Sequence, residues 1–288
     1  MANPKFKNGL SFFKCFLFIQ AILGLFVLLH WAKPQESAPP SQSFISELEK
    51  QILDATNQER TKHGLNPLSD EPGLANTARF HSEDMAKRHY FNHIDPDKKD
   101  PFYRIARIHR RFIGTGGENI LMITKNSPDA SVLAKQIVDN WMTSPGHREN
   151  ILNNNYTVLG VGCAEAQRQR KQSNQSFPIV YATQVFGNLA GYLEKDFPSA
   201  LARNQQESIS VTCKDPGFNP PLMGKIVPVA KKKGTSFELS VMGNDRTTSG
   251  GRIRVPGRAG TYQLIFYFPL KKDRRTMAVV PGPIFTVK

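Results

Sequence analysis

From Phe44 the apolar positions Ile45, Leu48, Ile52 and Ala55 recur at three- and four-residue spacing, one face of an amphipathic helix running toward Arg60. Gly64 and Pro67 end it. Asp70 as a cap and Pro72 just inside predict a second helix, with a buried stripe of Leu74, Ala78, His81 or Ser82, and Met85. A long loop then begins at Tyr90-Phe91-Asn92-His93. Asp100-Pro101 opens a short third helix that turns Ile105 and Ile108 inward, and Ser127-Pro128 opens a fourth whose core face is Val132, Ile137, Val138 and Trp141. Ser144-Pro145 repeats that capping chemistry for one or two turns ending at Leu152.

Beyond Leu152 the pattern changes period. Val158–Cys163 and Ile179–Phe186 are short β-type runs, separated by a polar hairpin loop over Gln167–Ser176. After Asn188 no helix pattern returns. Ser208–Cys213, Ser236–Met242, Gly251–Val255, Thr261–Phe268 and Pro283–Val287 alternate between turn residues, as in a small antiparallel β-sandwich. Helices followed by antiparallel strands predict an α+β protein. The expected division is an N-terminal membrane segment at 1–33, a linker at 34–43, a first domain at 44–190, a linker at 191–205 and a basic β-rich domain at 206–288.

The N-terminal segment is unlike the rest. Lys5, Lys7 and Lys14 precede the apolar run Cys15–Ala32, whose length is close to that needed to span a bilayer. Basic residues before such a run keep the N-terminus inside and send the remainder across, so the bulk of the chain is expected to be extracytoplasmic. The residues around Ala32 fit a cleavage site poorly, which favours an uncleaved anchor over a signal peptide and secretion. Lys33–Ser43 reads as a tether.

Charge refines the reading of the C-terminal part. Of the net +14, most resides in residues 205–288, which hold 14 basic against 5 acidic residues. An outward-facing basic surface suits an anionic lipid, glycan or envelope polymer, or simply a solvated surface. Nucleic acid is not expected, because Tyr262, Phe266, Tyr267 and Phe268 read as strand core and not as stacking platforms. Of three cysteines only Cys163 and Cys213 lie outside the apolar run, as free thiols or as one bridge.

Several ordered motifs carry a resemblance. They are Asn57-x-x-Arg60, Met85 with Tyr90–His93, Gly117-Glu118-Asn119-Ile120, Trp141-x-x-Ser144-Pro145-Gly146-His147-Arg148-x-Asn150-Ile151-Leu152, Gly160-Val161-Gly162 and Thr183-Gln184-x-Phe186. Together they resemble the bacterial branch of the CAP superfamily (SCP-like), which includes cysteine-rich secretory proteins, antigen 5 and plant pathogenesis-related proteins. The resemblance implies an α-β-α sandwich with a cleft that holds two histidines. His93, Glu118 and His147 match cleft positions, with Asn119 and Ser144 as further ligand-contacting candidates. A second family glutamate, expected three residues after the tryptophan, is replaced by Ser144.

Two imidazoles and a carboxylate can hold Zn2+ or another divalent metal with an open position, or act as acid and base. They can equally form an architectural polar network. No activated nucleophile is evident, so no catalytic residue is assigned beyond the candidates His93, Glu118 and His147. Arg60 is expected to tie the first helix to the strands, and Trp141 to anchor the core. The expected role is a ligand- or envelope-binding module. The alternatives are a metal-dependent hydrolase using the same cleft, and a spacer whose basic β domain binds, for instance through Lys231–Lys233.

Overall fold

The computed structural model describes residues 42–170, 175–230, 233–242 and 246–288. The membrane segment expected at 15–32 lies outside these residues, as do Lys231 and Lys232. Among the described residues no helix is long and apolar enough to cross a membrane. Pro40–Lys288 forms one compact unit. Among the described residues its four hydrophobic clusters give it cores of its own, as in a piece that folds by itself.

The protein is α+β. Its helices are α1 (Gln42–Lys62), α2 (Pro72–Arg88), α3 (Pro101–Ile108), α4 (Ala130–Thr143) and α5 (Pro145–Ile151). The first sheet contains β1 (Ser69–Asp70), β2 (Phe112–Thr124), β3 (Val158–Gln169), β4 (Ser176–Leu193), β6 (Gln206–Cys213), β9 (Ser240–Met242) and β10 (Thr248–Arg254), in the order β1-β3-β4-β6-β10-β9 with β2 also paired to β4. The second contains β5 (Ala200–Leu201), β7 (Met223–Pro228), β8 (Thr235–Glu238), β11 (Gly260–Pro269) and β12 (Met277–Val287), in the order β5-β12-β11-β7-β8.

Strand alternation explains the layering. On β3, Leu159, Val161 and Cys163 point into a cluster with Leu48 and Ile52 of α1 and Leu133, Ile137 and Trp141 of α4. The alternate residues face α2: Val158 packs with Leu74 and Ala78, and Gly160 and Gly162 lie directly against the α2 backbone. Helices therefore cover both faces of the β2-β4-β3 sheet.

Several local expectations need correcting. Asp70 does not cap α2. Ser69 and Asp70 pair in parallel with Val158 and Leu159, and Glu71 takes the cap position, its carboxylate accepting from the Gly73 N–H. Asp100 caps α3 as expected, accepting from the Tyr103 N–H at 2.7 Å. The fourth helix starts at Ala130 behind an Asp129 cap, so its buried stripe includes Leu133, Ile137 and Trp141 while Val132 is exposed. Ser144 precedes α5 without a side-chain capping bond. Arg60 reaches not the strands but backbone carbonyls of Asn66, Ile151 and Asn153, at 2.9, 2.7 and 2.9 Å.

The boundary expected at 190/191 falls inside β4, whose last residues Gly191–Leu193 pair with Cys213–Val211 of β6. Ile113, Ala190 and Leu193 share one core with Val211, Leu264, Phe266 and Phe285. Arg110 reinforces the junction by donating to the carbonyls of Phe197 and Pro198, each at 2.8 Å, and of Ile284. Burial lowers its guanidinium to a pKa of about 10. Cys163 and Cys213 are free, and burial raises both thiols.

Candidate functional site

Strand β2, unforeseen from its glycine-rich sequence, is the element that places the site. It pairs with β4 from Phe112↔Tyr192 to Thr124↔Ile179 and sets Glu118 and Asn119 near mid-sheet. The loop carrying His93 is launched by the end of α2, where His89 adopts a left-handed conformation (φ 56°) and its N–H bonds back to the Met85 carbonyl. Helix α3 supplies Arg104, and α5 supplies His147.

Glu118 is the hub. Its side chain is 1% exposed, and its Oε2 accepts from the equally buried Arg104 Nη2 at 2.7 Å. Its Oε1 lies 2.8 Å from Nδ1 of His93, whose side chain is 45% exposed. Arg104 also donates to the carbonyls of His93 and Lys99, both at 2.9 Å, so one guanidinium holds the loop and the carboxylate together. A carboxylate at this depth requires such compensation. An ionised Glu118 can only accept, so His93 Nδ1 carries the hydrogen of this contact, and in the neutral ring Nε2 is then the acceptor.

Behind this pair stands His81, fully buried. Its Nε2 is 3.7 Å from Glu118 Oε1 and has no hydrogen-bond partner among the described residues. Its Nδ1 lies 3.3 Å from the Tyr90 hydroxyl, which donates to Asp84 at 2.6 Å. Burial lowers the His81 pKa to about 4, which keeps the ring neutral. The unfolded chain takes up that proton near pH 6.5 whereas the folded chain resists it down to about pH 4, so His81 erodes stability as pH falls through this window. The slope from this one group is at most about 1.4 kcal/mol per pH unit. Urea midpoints measured across the window should therefore fall less steeply in His81→Asn than in the parent protein.

Asn119 is fully buried and organises the other wall. Its amide donates to the His147 carbonyl at 3.1 Å and to Gln184 Oε1 at 3.0 Å, and its oxygen accepts from Asn150 at 2.9 Å. Gln184 donates onward to Thr56 of α1 at 2.7 Å. The His147 ring is half-buried, and burial, followed by the proximity of the His93 ring, lowers its pKa. The structure thus brings His93, Glu118 and His147 into one region, with Asn119 supporting it from within. Ser144 is half-buried at the entry to α5.

The expected metal set does not fit this geometry. Glu118 already serves Arg104 and His93, and among the described residues no group of three or more His, Cys, Asp or Glu side chains is disposed to hold a metal ion. Arg104 and His81 are the functional neighbours that sequence reasoning missed. His81 was legible only as a buried helix position, and no spacing links Arg104 to Glu118.

Comparison with known proteins bears on the family of this part of the chain. Residues 53–186 match the family model described as CAP, the cysteine-rich secretory protein family. Two curated relatives come from Bacillus subtilis (strain 168). "Uncharacterized protein YkwD" is 39% identical over 130 residues, covering 45% of this chain and 46% of its own. "Uncharacterized membrane protein YlbC" is 40% identical over 129 residues, covering 45% and 34%. The chain therefore spans less than half the length of these relatives. Among solved structures, an extracellular protein containing an SCP domain from Bacillus anthracis str. Ames is 30% identical, covering 52% of this chain and 45% of its own, with a TM-score of 0.39.

Proposed function

With residues 53–186 belonging to the CAP superfamily in its bacterial branch, we propose that this protein is a membrane-anchored, extracytoplasmic binding module for an envelope lipid or glycan. The observation that carries the reading is the half-exposed His93, whose Nδ1 is fixed on a buried Glu118–Arg104 pair, so that Nε2 of the neutral ring is left to accept from a ligand. Such a group is held in place to recognise a donor. Ser82 bonds to the Gly162 carbonyl and Thr183 inside the core, and Cys163 is fully buried. Phe91 and Ile94, flanking His93, and Phe102, at the start of α3, are exposed apolar side chains. A polar acceptor beside exposed apolar surface suits amphipathic ligands.

The outward placement is supported by the basic residues before Cys15–Ala32 and by the name of YlbC as a membrane protein. The test is an NMR titration of the unit Pro40–Lys288 with an N-acetylglucosamine tetrasaccharide and, separately, with short-chain phosphatidylglycerol. One of the two is expected to shift the His93 and His147 ring signals saturably, with the shifts lost in His93→Ala. Unmoved rings with both probes, or shifts indifferent to His93→Ala, would remove the cleft from the account.

A further inference from the structure

The second sheet has an outer face of unexpected composition. In an antiparallel sheet packed on one side the outward positions are ordinarily polar. Here Met223, Tyr267 and Val279 lie directly opposite one another across β7, β11 and β12, with Met277 opposite Pro269 at the strand ends. The intervening Leu264, Phe266, Phe268 and Val280 are buried on the inner side, so the row faces outward. Tyr267 was expected in the core, but strand alternation places it here.

Val279 is 59% exposed, Leu222 46% and Met277 39%. Leu222, Met223, Tyr267 and Met277 line one shallow depression of about 380 Å3. A cluster of this kind on a protein surface marks an interaction site.

The β11–β12 turn borders this face and is strongly basic. Lys271, Lys272, Arg274 and Arg275 are all exposed, and among the described residues no ion pair engages them. The one acid of the turn, Asp273, is occupied locally, accepting from the Arg275 N–H at 3.0 Å and from Thr276 Oγ1 at 2.8 Å. Lys225 lies over the Tyr267 ring at 5.3 Å, and the only acidic residue on the Met223–Tyr267–Val279 row is Glu238, opposite Met223.

We infer that the outer face of the β7-β11-β12 sheet, with the basic β11–β12 turn, is a docking surface for an anionic lipid bilayer. Aliphatic and aromatic side chains rimmed by lysine and arginine match the acyl boundary and the anionic headgroups of such a surface. A bilayer is favoured over a second copy as the occupant, because the row offers only Glu238 as a counter-charge to the four exposed basic side chains of the turn. The inference rests on the extracytoplasmic reading above but not on what the His93 cleft binds.

The experiment is co-sedimentation of the unit Pro40–Lys288 with vesicles of phosphatidylcholine alone and of equal parts phosphatidylcholine and phosphatidylglycerol. Binding is expected only to the anionic vesicles, weakened by salt. Lys271→Glu with Arg274→Glu should reduce it at least about thirtyfold, and Met277→Ser with Val279→Asn about tenfold. These positions are exposed, so thermal melts should match the parent protein. Equal binding to both vesicles, no binding, indifference to the turn reversals, or a dimer in ultracentrifugation that is lost in the Met277/Val279 variant would overturn the assignment. Because the unit lacks residues 15–32, failure here leaves the anchor reading intact, and that reading is tested separately by membrane fractionation of the full chain.

Discussion

Replacing Arg104 with methionine is expected to destabilise the protein by about 3–5 kcal/mol, read as a lower urea midpoint at unchanged m-value. The variant leaves the Glu118 carboxylate buried without its cation and frees the loop carbonyls of His93 and Lys99. Removing both charges together, as Arg104→Met with Glu118→Met, should recover most of the loss, since two apolar side chains can fill a space that one uncompensated charge cannot. A double variant as unstable as Arg104→Met would mean that the guanidinium acts mainly through the loop carbonyls and not through Glu118. The recovered double variant should still lose the fixed His93 ring, which separates stability from site geometry.

Gly162→Ala is expected to be nearly as damaging, at about 3 kcal/mol, the upper end for overpacking a core. A Cβ there would lie 2.0 Å from the Arg79 nitrogen and 2.4 Å from the Ala78 carbonyl carbon. Gly160 meets the α2 backbone in the same way, at 2.1 Å from the Ala75 nitrogen. Backbone on backbone has no rotamer to yield, so α2 must lift from β3. The displacement reaches the site, because α2 carries His81 and its C-terminal turn aims the loop that holds His93. Gly146→Ala is the control: nothing lies within 4 Å of the added carbon, and the substitution should be neutral or slightly stabilising in thermal melts. Equal melting points for the two variants would refute the close-contact explanation.

What could be read from the sequence was what depends on local period and capping. The buried stripe of α2, the Asp100 cap, the Trp141 anchor and the runs of β3 and β4 each follow from residues a few positions apart. Strand β2 did not, because Gly114, Gly116, Gly117, Glu118 and Asn119 have no strand pattern and are extended only through pairing with β4. On α4 the expected Ile137, Val138 and Trp141 are buried, but Val132 lies five residues before Ile137 and falls off their face, which Leu133, four residues before, completes. Arg104 and Glu118 meet across α3 and β2 through tertiary packing, which no motif spacing encodes. The outer face of the second sheet was hidden for a related reason: the β11 run is apolar on both sides, so composition alone placed Tyr267 inside.

The most direct test of the site is the tautomer of His93, observed by two-bond nitrogen–proton correlation on histidine-labelled protein and assigned with His93→Asn. At mildly alkaline pH, where a histidine ring is ordinarily neutral, the expected spectrum shows Nδ1 protonated against Glu118 and Nε2 bare toward solvent. A ring protonated at Nε2, or one exchanging freely between tautomers, would contradict the arrangement in which buried Glu118 fixes His93 as the recognition group.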